Sequence, residues 1–212
     1  MPKYPIYTIG HSTRMISELL SLLKKFSIDY LIDVRSRPYS GFNPQFNRES
    51  LAANLEQAGI KYVYMGDTLG GRPSDPSCYK VNGKVDYDRV RQKDFFQQGM
   101  ERVKTAYKKD LKVALLCSES KPGQCHRSRL IGNTLHHEKI PVQHIDENGE
   151  LRDQETISRS GNQGTLIPTQ TLHNASPSLQ TPGENPYPPG NILPFQDQTR
   201  QNSGSLPGSP NR

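Results

Sequence analysis

The sequence predicts a parallel α/β fold, with a mainly parallel sheet of about five strands and helices on both faces. Three observations carry that prediction. Short apolar runs recur around Tyr4 to Ile9, Tyr30 to Val34, Ile60 to Met65, Val113 to Leu116 and Pro141 to Ile145, bounded and without strict alternation, as in strands buried on both faces. Between them lie segments whose apolar residues fall at helical spacing. The runs end in polar loops, and parallel strands joined by right-handed crossovers bring such loops to one edge of the sheet.

The first strand ends in Gly10-His11-Ser12-Thr13-Arg14, where glycine frees the backbone and Ser12 or Thr13 is suited to cap the next helix. That helix carries Ile16, Leu19, Leu20, Leu23 and Phe26 on one face, with Lys24 and Lys25 placed for its C-terminus. The second strand runs into Asp33, Arg35, Ser36, Arg37 and Pro38. Asn47 is suited to cap a helix lined by Leu51, Leu55 and Ala58 and stopped by Gly59. The third strand leads to Leu69-Gly70-Gly71-Arg72-Pro73. Asn82-Gly83 is a tight-turn signal and predicts a small hairpin or lid. Asp86 or Asp88 then starts one long helix through Val90, Phe95, Met100, Val103 and Tyr107. After the central strand, Pro122 and Gly123 break the chain, and a helix opening at His126 and Arg127 carries Leu130, Ile131 and Leu135. Pro141 to Ile145 is the last strand expected, and Glu147 to Glu150 turns away from it.

The chain has 212 residues and only 32% hydrophobic residues, low for a wholly globular protein of this size. The shortfall lies at the end. From Ser158 onward Gly, Pro, Ser, Asn, Gln and Thr dominate, and nine of the 17 prolines follow Gly164. Such a segment cannot bury enough surface to offset roughly 1 to 2 kcal/mol of ordering entropy per residue. The expectation is one domain over residues 1–157 and a disordered tail over 158–212 whose protein partner is unknown. The net charge of +6 permits phosphates, nucleotides or a nucleic-acid backbone as partners. Cys78, Cys117 and Cys125 are an odd number of cysteines, as in a reducing cytoplasmic compartment, and the apolar runs are far below the roughly 20 residues that span a bilayer, so no membrane is expected.

The most reactive stretch is Lys112 to Arg129, KVALLCSESKPGQCHRSR. A helix start at His126 turns free N–H groups back toward the strand end, and Arg127 and Arg129 add positive charge where the helix dipole alone favours acids. An anion is the natural counterpart of that arrangement.

Four collinear motifs, TIGHST at Thr8 to Thr13, LIDVRSRPYS at Leu31 to Ser40, LGGRP at Leu69 to Pro73 and LLCSESKPGQCHR at Leu115 to Arg127, resemble the family known as domain of unknown function number 488. The resemblance covers about the first 150 residues. It implies a Rossmann-like three-layer α/β domain with the polar motifs at one edge, and no particular reaction.

The first reading of the motifs is a nucleotide or other phosphate-bearing ligand held by Arg35, Arg37, Arg72 and Arg127, since a planar guanidinium matches phosphate oxygens. Ser12, Thr13, Cys125 and His126 contribute the backbone cradles, and His11 and Glu119 are the acid and base candidates for hydrolysis or transfer at a phosphoester or N-glycosidic bond. A non-catalytic sensor of a nucleotide or of a nucleic-acid backbone uses the same residues; no aromatic-rich single-strand platform or basic run is evident in the sequence, so direct sequence readout of DNA is not expected. A second reading makes Cys117 the nucleophile of a phosphatase-like or sulfur-transfer loop, though nine residues between Cys117 and Arg127 are more than such anion loops contain. A metal site from Cys117, Cys125, His126 and His11 is weaker, because zinc sites favour cysteine pairs two to four residues apart and adjacent Cys125 and His126 point in different directions on a helix. The sequence therefore assigns no metal ligand and names no cofactor.

Overall fold

The computed structural model describes residues 4–162 and contains a six-stranded sheet in the order β3-β2-β4-β1-β5-β6. The strands are β1 (Ile6–Gly10), β2 (Tyr30–Asp33), β3 (Lys61–Tyr64), β4 (Val113–Cys117), β5 (Val142–Ile145) and β6 (Leu151–Asp153). The first five run parallel, with Gly10 beside Cys117 and Asp33 beside Leu116 at their carboxyl ends.

Side chains of β4 show why the strands read as continuous apolar runs. Val113 and Leu115 enter one core with Phe96, Met100, Val103, Leu130, Ile131 and Leu135, while Ala114 and Leu116 enter another with Leu19, Leu23, Leu51 and Leu55. One face is thus covered by α5 (Asp94–Lys108) and by the segment Arg127–Gly132 with α6 (Asn133–His137). The other is covered by α1 (Ile16–Lys25) and α2 (Arg48–Gln57). That is the three-layer α/β arrangement expected.

Connections from β1 leave toward β2, and those from β4 leave toward β5 on the opposite side of β1. The order therefore reverses between β1 and β4, the place where open α/β sheets accept ligands.

Several local expectations are corrected. Neither Ser12 nor Thr13 caps α1; the Glu18 carboxylate accepts the Met15 N–H at 2.7 Å instead, and Ser12 takes a left-handed φ of 48° while its N–H reaches the Ser118 carbonyl. The Asn47 side chain bonds the Ser40 N–H at 2.7 Å, which ties down the loop before α2 rather than the helix end. The long helix is two. Asp86 caps α4 (Tyr87–Arg91) through the Asp88 and Arg89 N–H groups, and the chain reorients at Gln92 and Lys93 before α5. A short α3 (Gly66–Leu69) precedes the Gly70-Gly71 turn, and the Asn82-Gly83 turn closes a single antiparallel bridge from Tyr79 to Val85.

The largest departure follows β5. Residues Asp146 to Glu150 form a hairpin, with Asp146 Oδ1 accepting the N–H groups of Asn148 and Glu150, into antiparallel β6. Then α7 (Gln154–Asn162) runs across the boundary expected at residue 157. Its first residue, Gln154, is buried against β5 and the Arg127–Gly132 segment. Gln154 Oε1 lies 2.7 Å from His144 Nε2 and 3.3 Å from Ser128 Oγ, and its amide donates to Asn133 Oδ1. Thr8 Oγ1 lies 2.7 Å from His144 Nδ1, so the network joins β1, β5 and the helices. The remainder of the expected tail lies outside the described residues.

Candidate functional site

The loops after β1, β2, β3 and β4 meet at the carboxyl edge of the sheet. His11 N–H reaches the Cys117 carbonyl at 3.0 Å, and the Ser36 hydroxyl accepts the Arg72 N–H at 2.9 Å. A Cβ on Gly10 would lie 1.8 Å from the Glu119 carbonyl oxygen, so only glycine lets these two loops close on each other.

Two of the four expected anion-binding arginines are buried and already hydrogen-bonded within the protein. Arg35 is buried, with Nε donating to Asp33 Oδ1 at 2.9 Å, NH2 donating to Asp33 Oδ2 at 2.6 Å and to the Phe46 carbonyl, and NH1 3.2 Å from His11 Nε2. Tyr62 adds its hydroxyl to Asp33 Oδ2 at 2.8 Å, and burial followed by the Asp33 charge pushes the Tyr62 pKa far up. Arg127 is fully buried and donates to the carbonyls of Glu119 and Ser120 at 2.7 and 2.8 Å. Its role in the fold is to clamp the 118–126 loop, which accounts for basic charge at a helix start without an anion. Among the described residues its Nε has no partner. Arg37 and Arg72 remain exposed, as does Thr13; Ser12 is half-buried.

His11 is not open to a substrate either. Its ring stacks on Phe46 at 4.4 Å, and its Nδ1 lies 2.8 Å from the Ser12 carbonyl, so Nδ1 donates and Nε2 faces the Arg35 guanidinium. Burial, followed in the same direction by Arg35, brings its pKa down to about 4, and the ring is neutral at pH 7.

A different group converges instead. Cys117, Glu119, Cys125 and His126 place one sulfur, oxygen or nitrogen ligand atom each within 4.8 Å of one another. Cys117 Sγ and Cys125 Sγ lie 2.7 and 3.1 Å from Glu119 Oε2, and 3.5 and 3.7 Å from His126 Nδ1. The expected divergence of Cys125 and His126 does not occur. Cys125 precedes the helix in extended backbone, φ −113° and ψ 149°, so its side chain turns back toward the sheet while His126 opens the helix. The Arg127 N–H contacts Cys125 Sγ at 3.4 Å, a contact that favours sulfur carrying negative charge.

His126 Nε2 lies 3.0 Å from the Val34 carbonyl, an acceptor only, so this nitrogen carries a proton. Burial lowers the His126 pKa, but the contact with Cys117 outweighs it and raises it, and Nδ1 faces both sulfurs with a lone pair when the ring is neutral. Burial raises Glu119, but hydrogen bonds from the two thiols outweigh it and hold its pKa below the ordinary carboxylate value, so the carboxylate is ionised. Thiol donors, rather than neighbouring arginines, decide its state. The Cys117 thiol is pushed up by Cys125 beside it and then by burial, which makes it a poor nucleophile as it stands. A bound divalent cation would displace that proton and hold the sulfur as a ligand, since a coordinating thiol is deprotonated.

Sequence reasoning passed over Asp33, Tyr62 and Gly71. Asp33 was visible as an acid two residues from Arg35 at the end of an apolar run. Gly71 had only the Gly-Gly pair as a signal: a Cβ there would stand 2.7 Å from His126 Nδ1, so this backbone closes over the imidazole.

Fold and site together define a three-layer α/β protein with a thiol, imidazole and carboxylate cluster at its switch point. The family model described as Domain of unknown function DUF488 matches residues 15–133, over half of the chain, and the chain belongs to that family. The match includes the second, third and fourth motifs, whereas Thr8 to Thr13 precede it. No curated protein and no solved structure matches the chain significantly. Among the described residues no helix is long and apolar enough to cross a membrane.

Proposed function

We propose that this domain binds a thiophilic divalent cation, of the zinc type, through Cys117, Cys125 and His126, and uses it to hydrolyse a phosphate-bearing substrate. The observation that carries this reading is the convergence of two sulfurs, an imidazole nitrogen of His126 and the Glu119 carboxylate within 4.8 Å. Soft sulfur donors with imidazole suit zinc, and three protein ligands with one exchangeable position are the pattern of a catalytic rather than a structural zinc site. The Val34 carbonyl supplies the outer-shell acceptor that ligating histidines require.

Glu119 is exposed where Cys117, Cys125 and His126 are buried, so water and substrate would reach the cluster from its side. There Glu119 would take the proton of an attacking water, whose acidity a bound cation would raise, and would return it to the oxygen that leaves as the phosphorus–oxygen bond breaks. Arg37 and Arg72, exposed at the same edge, supply the attraction for phosphate that Arg35 and Arg127 cannot.

Cobalt(II) substitution tests the reading. Wild-type protein is expected to develop thiolate-to-cobalt absorption, Cys117→Ser and Cys125→Ser to lose it, and hydrolysis of bis(para-nitrophenyl) phosphate to need the cation and Glu119. Absence of the cobalt bands, or turnover indifferent to chelation and to Glu119→Gln, contradicts it.

A further inference from the structure

The loop between β2 and α2 shows what shape of phosphate-bearing substrate the edge accepts. Residues 34–48, VRSRPYSGFNPQFNR, contain Arg35, Arg37 and Arg48, three aromatic residues and no acid. Phe46 is buried against His11, but Tyr39 is 69% exposed and Phe42 97% exposed. An aromatic ring left almost wholly in water does nothing for the core, and this one is not on a loose strand of chain. Ser40 N–H is held by Asn47 Oδ1 at 2.7 Å, the N–H groups of Phe42 and Asn43 both approach Ser40 Oγ at 3.2 Å, and the Pro38 carbonyl accepts the Arg48 N–H at 3.0 Å. The tip is a braced platform that presents two aromatic residues three positions apart.

Basic groups lead from that platform to the cluster. The Arg48 guanidinium lies 4.6 Å from the Tyr64 ring centre, the Tyr64 hydroxyl donates to the Ser36 carbonyl, and Ser36 Oγ accepts the Arg72 N–H. Gly71, next to Arg72, packs on the His126 ring. Arg48 and the backbone of Arg72 are thus joined through Tyr64 and Ser36, exposed Arg37 follows Ser36 in the chain, and the strip ends at the thiol and imidazole groups, with an acid, Asp67, near its Tyr64 end.

We infer that this strip binds single-stranded nucleic acid, with bases stacked on Tyr39 and Phe42 and phosphates held by Arg37, Arg48 and Arg72. Aromatic faces accept any base and arginines follow the backbone, which is how strands are held without sequence readout. A mononucleotide fits less well, because small ligands are enclosed in concave pockets whereas these rings stand in solvent. The inference deepens the proposed function, resting on it for the chemistry done to the strand and not for the binding itself.

Fluorescence anisotropy with a labelled oligothymidylate of about twenty nucleotides, long enough for a site of roughly 4 to 16, tests it on the full chain. Binding at low salt is expected, weakened about tenfold or more by Phe42→Ala and by Tyr39→Ala. Arg37→Ala should lower the slope of log affinity against log salt by about 0.7. These side chains are exposed, so unchanged circular dichroism melts are expected alongside. No binding, an equal or higher affinity for duplex, displacement by an equimolar mononucleotide, or indifference to both aromatic substitutions overturns the inference. Running the titration on chelated protein separates the two proposals: binding that persists supports the platform even if cobalt uptake fails, whereas stacking-independent binding in cobalt-loaded protein overturns the platform alone.

Discussion

Acidification should unfold this domain through His144 in a way that one substitution removes. His144 is fully buried, its Nε2 donating to Gln154 Oε1 and its Nδ1 accepting from Thr8 Oγ1, both at 2.7 Å. Burial brings its pKa down from 6.5 to about 4. The folded form therefore binds fewer protons than the unfolded chain between those values. Stability from this group is complete above pH 6.5 and falls as the pH drops toward 4, by up to 1.36 kcal/mol per unit and about 3 kcal/mol in all. His144→Asn keeps one donor and one acceptor but cannot titrate. Urea unfolding of both proteins at pH 7, 6, 5 and 4 reads the effect, because acids such as Asp146 and Asp153, whose pKa values are lowered in the fold, lose stability equally in each and cancel. The stability gap between wild type and variant should narrow or reverse by about 3 kcal/mol across that range. Parallel losses would refute the neutral buried network.

Three further substitutions probe the elements around the site. Gln154→Ala strands polar groups of His144 and Asn133 and should cost about 1 to 3 kcal/mol in urea unfolding; no loss would show that α7 is dispensable to the core. Asp33→Asn leaves the buried Arg35 guanidinium without its ion pair and should cost about 3 to 5 kcal/mol, with a correspondingly lower melting temperature. Gly71→Ala pushes a methyl group against His126 Nδ1 and should lower zinc affinity about 10- to 100-fold in a competition titration, while the melting temperature of the metal-free protein changes far less.

Burial on both faces made the five parallel strands legible, because their apolar runs needed no partner to identify them. β6 was not, since Leu151, Arg152 and Asp153 are three exposed residues paired only along one edge. The break at Gln92 and Lys93 was hidden because apolar residues on both sides fit one helical period. At the candidate site, the sequence placed the reactive loops at the carboxyl edge of the sheet, where they do meet, but charge alone could not say which groups were already partnered. Arg127 reads as an anion ligand until its carbonyl partners at residues 119 and 120 are known. Cys125 reads as a helical residue until its extended backbone is seen, and that local conformation brings the two ends of the fourth motif, Cys117 to Glu119 and Cys125 to Arg127, into one cluster.

X-ray absorption at the zinc edge of the purified, zinc-loaded protein addresses the proposed metal centre most directly. The account predicts two sulfur ligands at about 2.3 Å with nitrogen or oxygen ligands at about 2.0 to 2.1 Å, and one sulfur fewer in Cys125→Ser. A shell of oxygen and nitrogen alone, or zinc that does not stay with the wild-type protein through gel filtration, would contradict it.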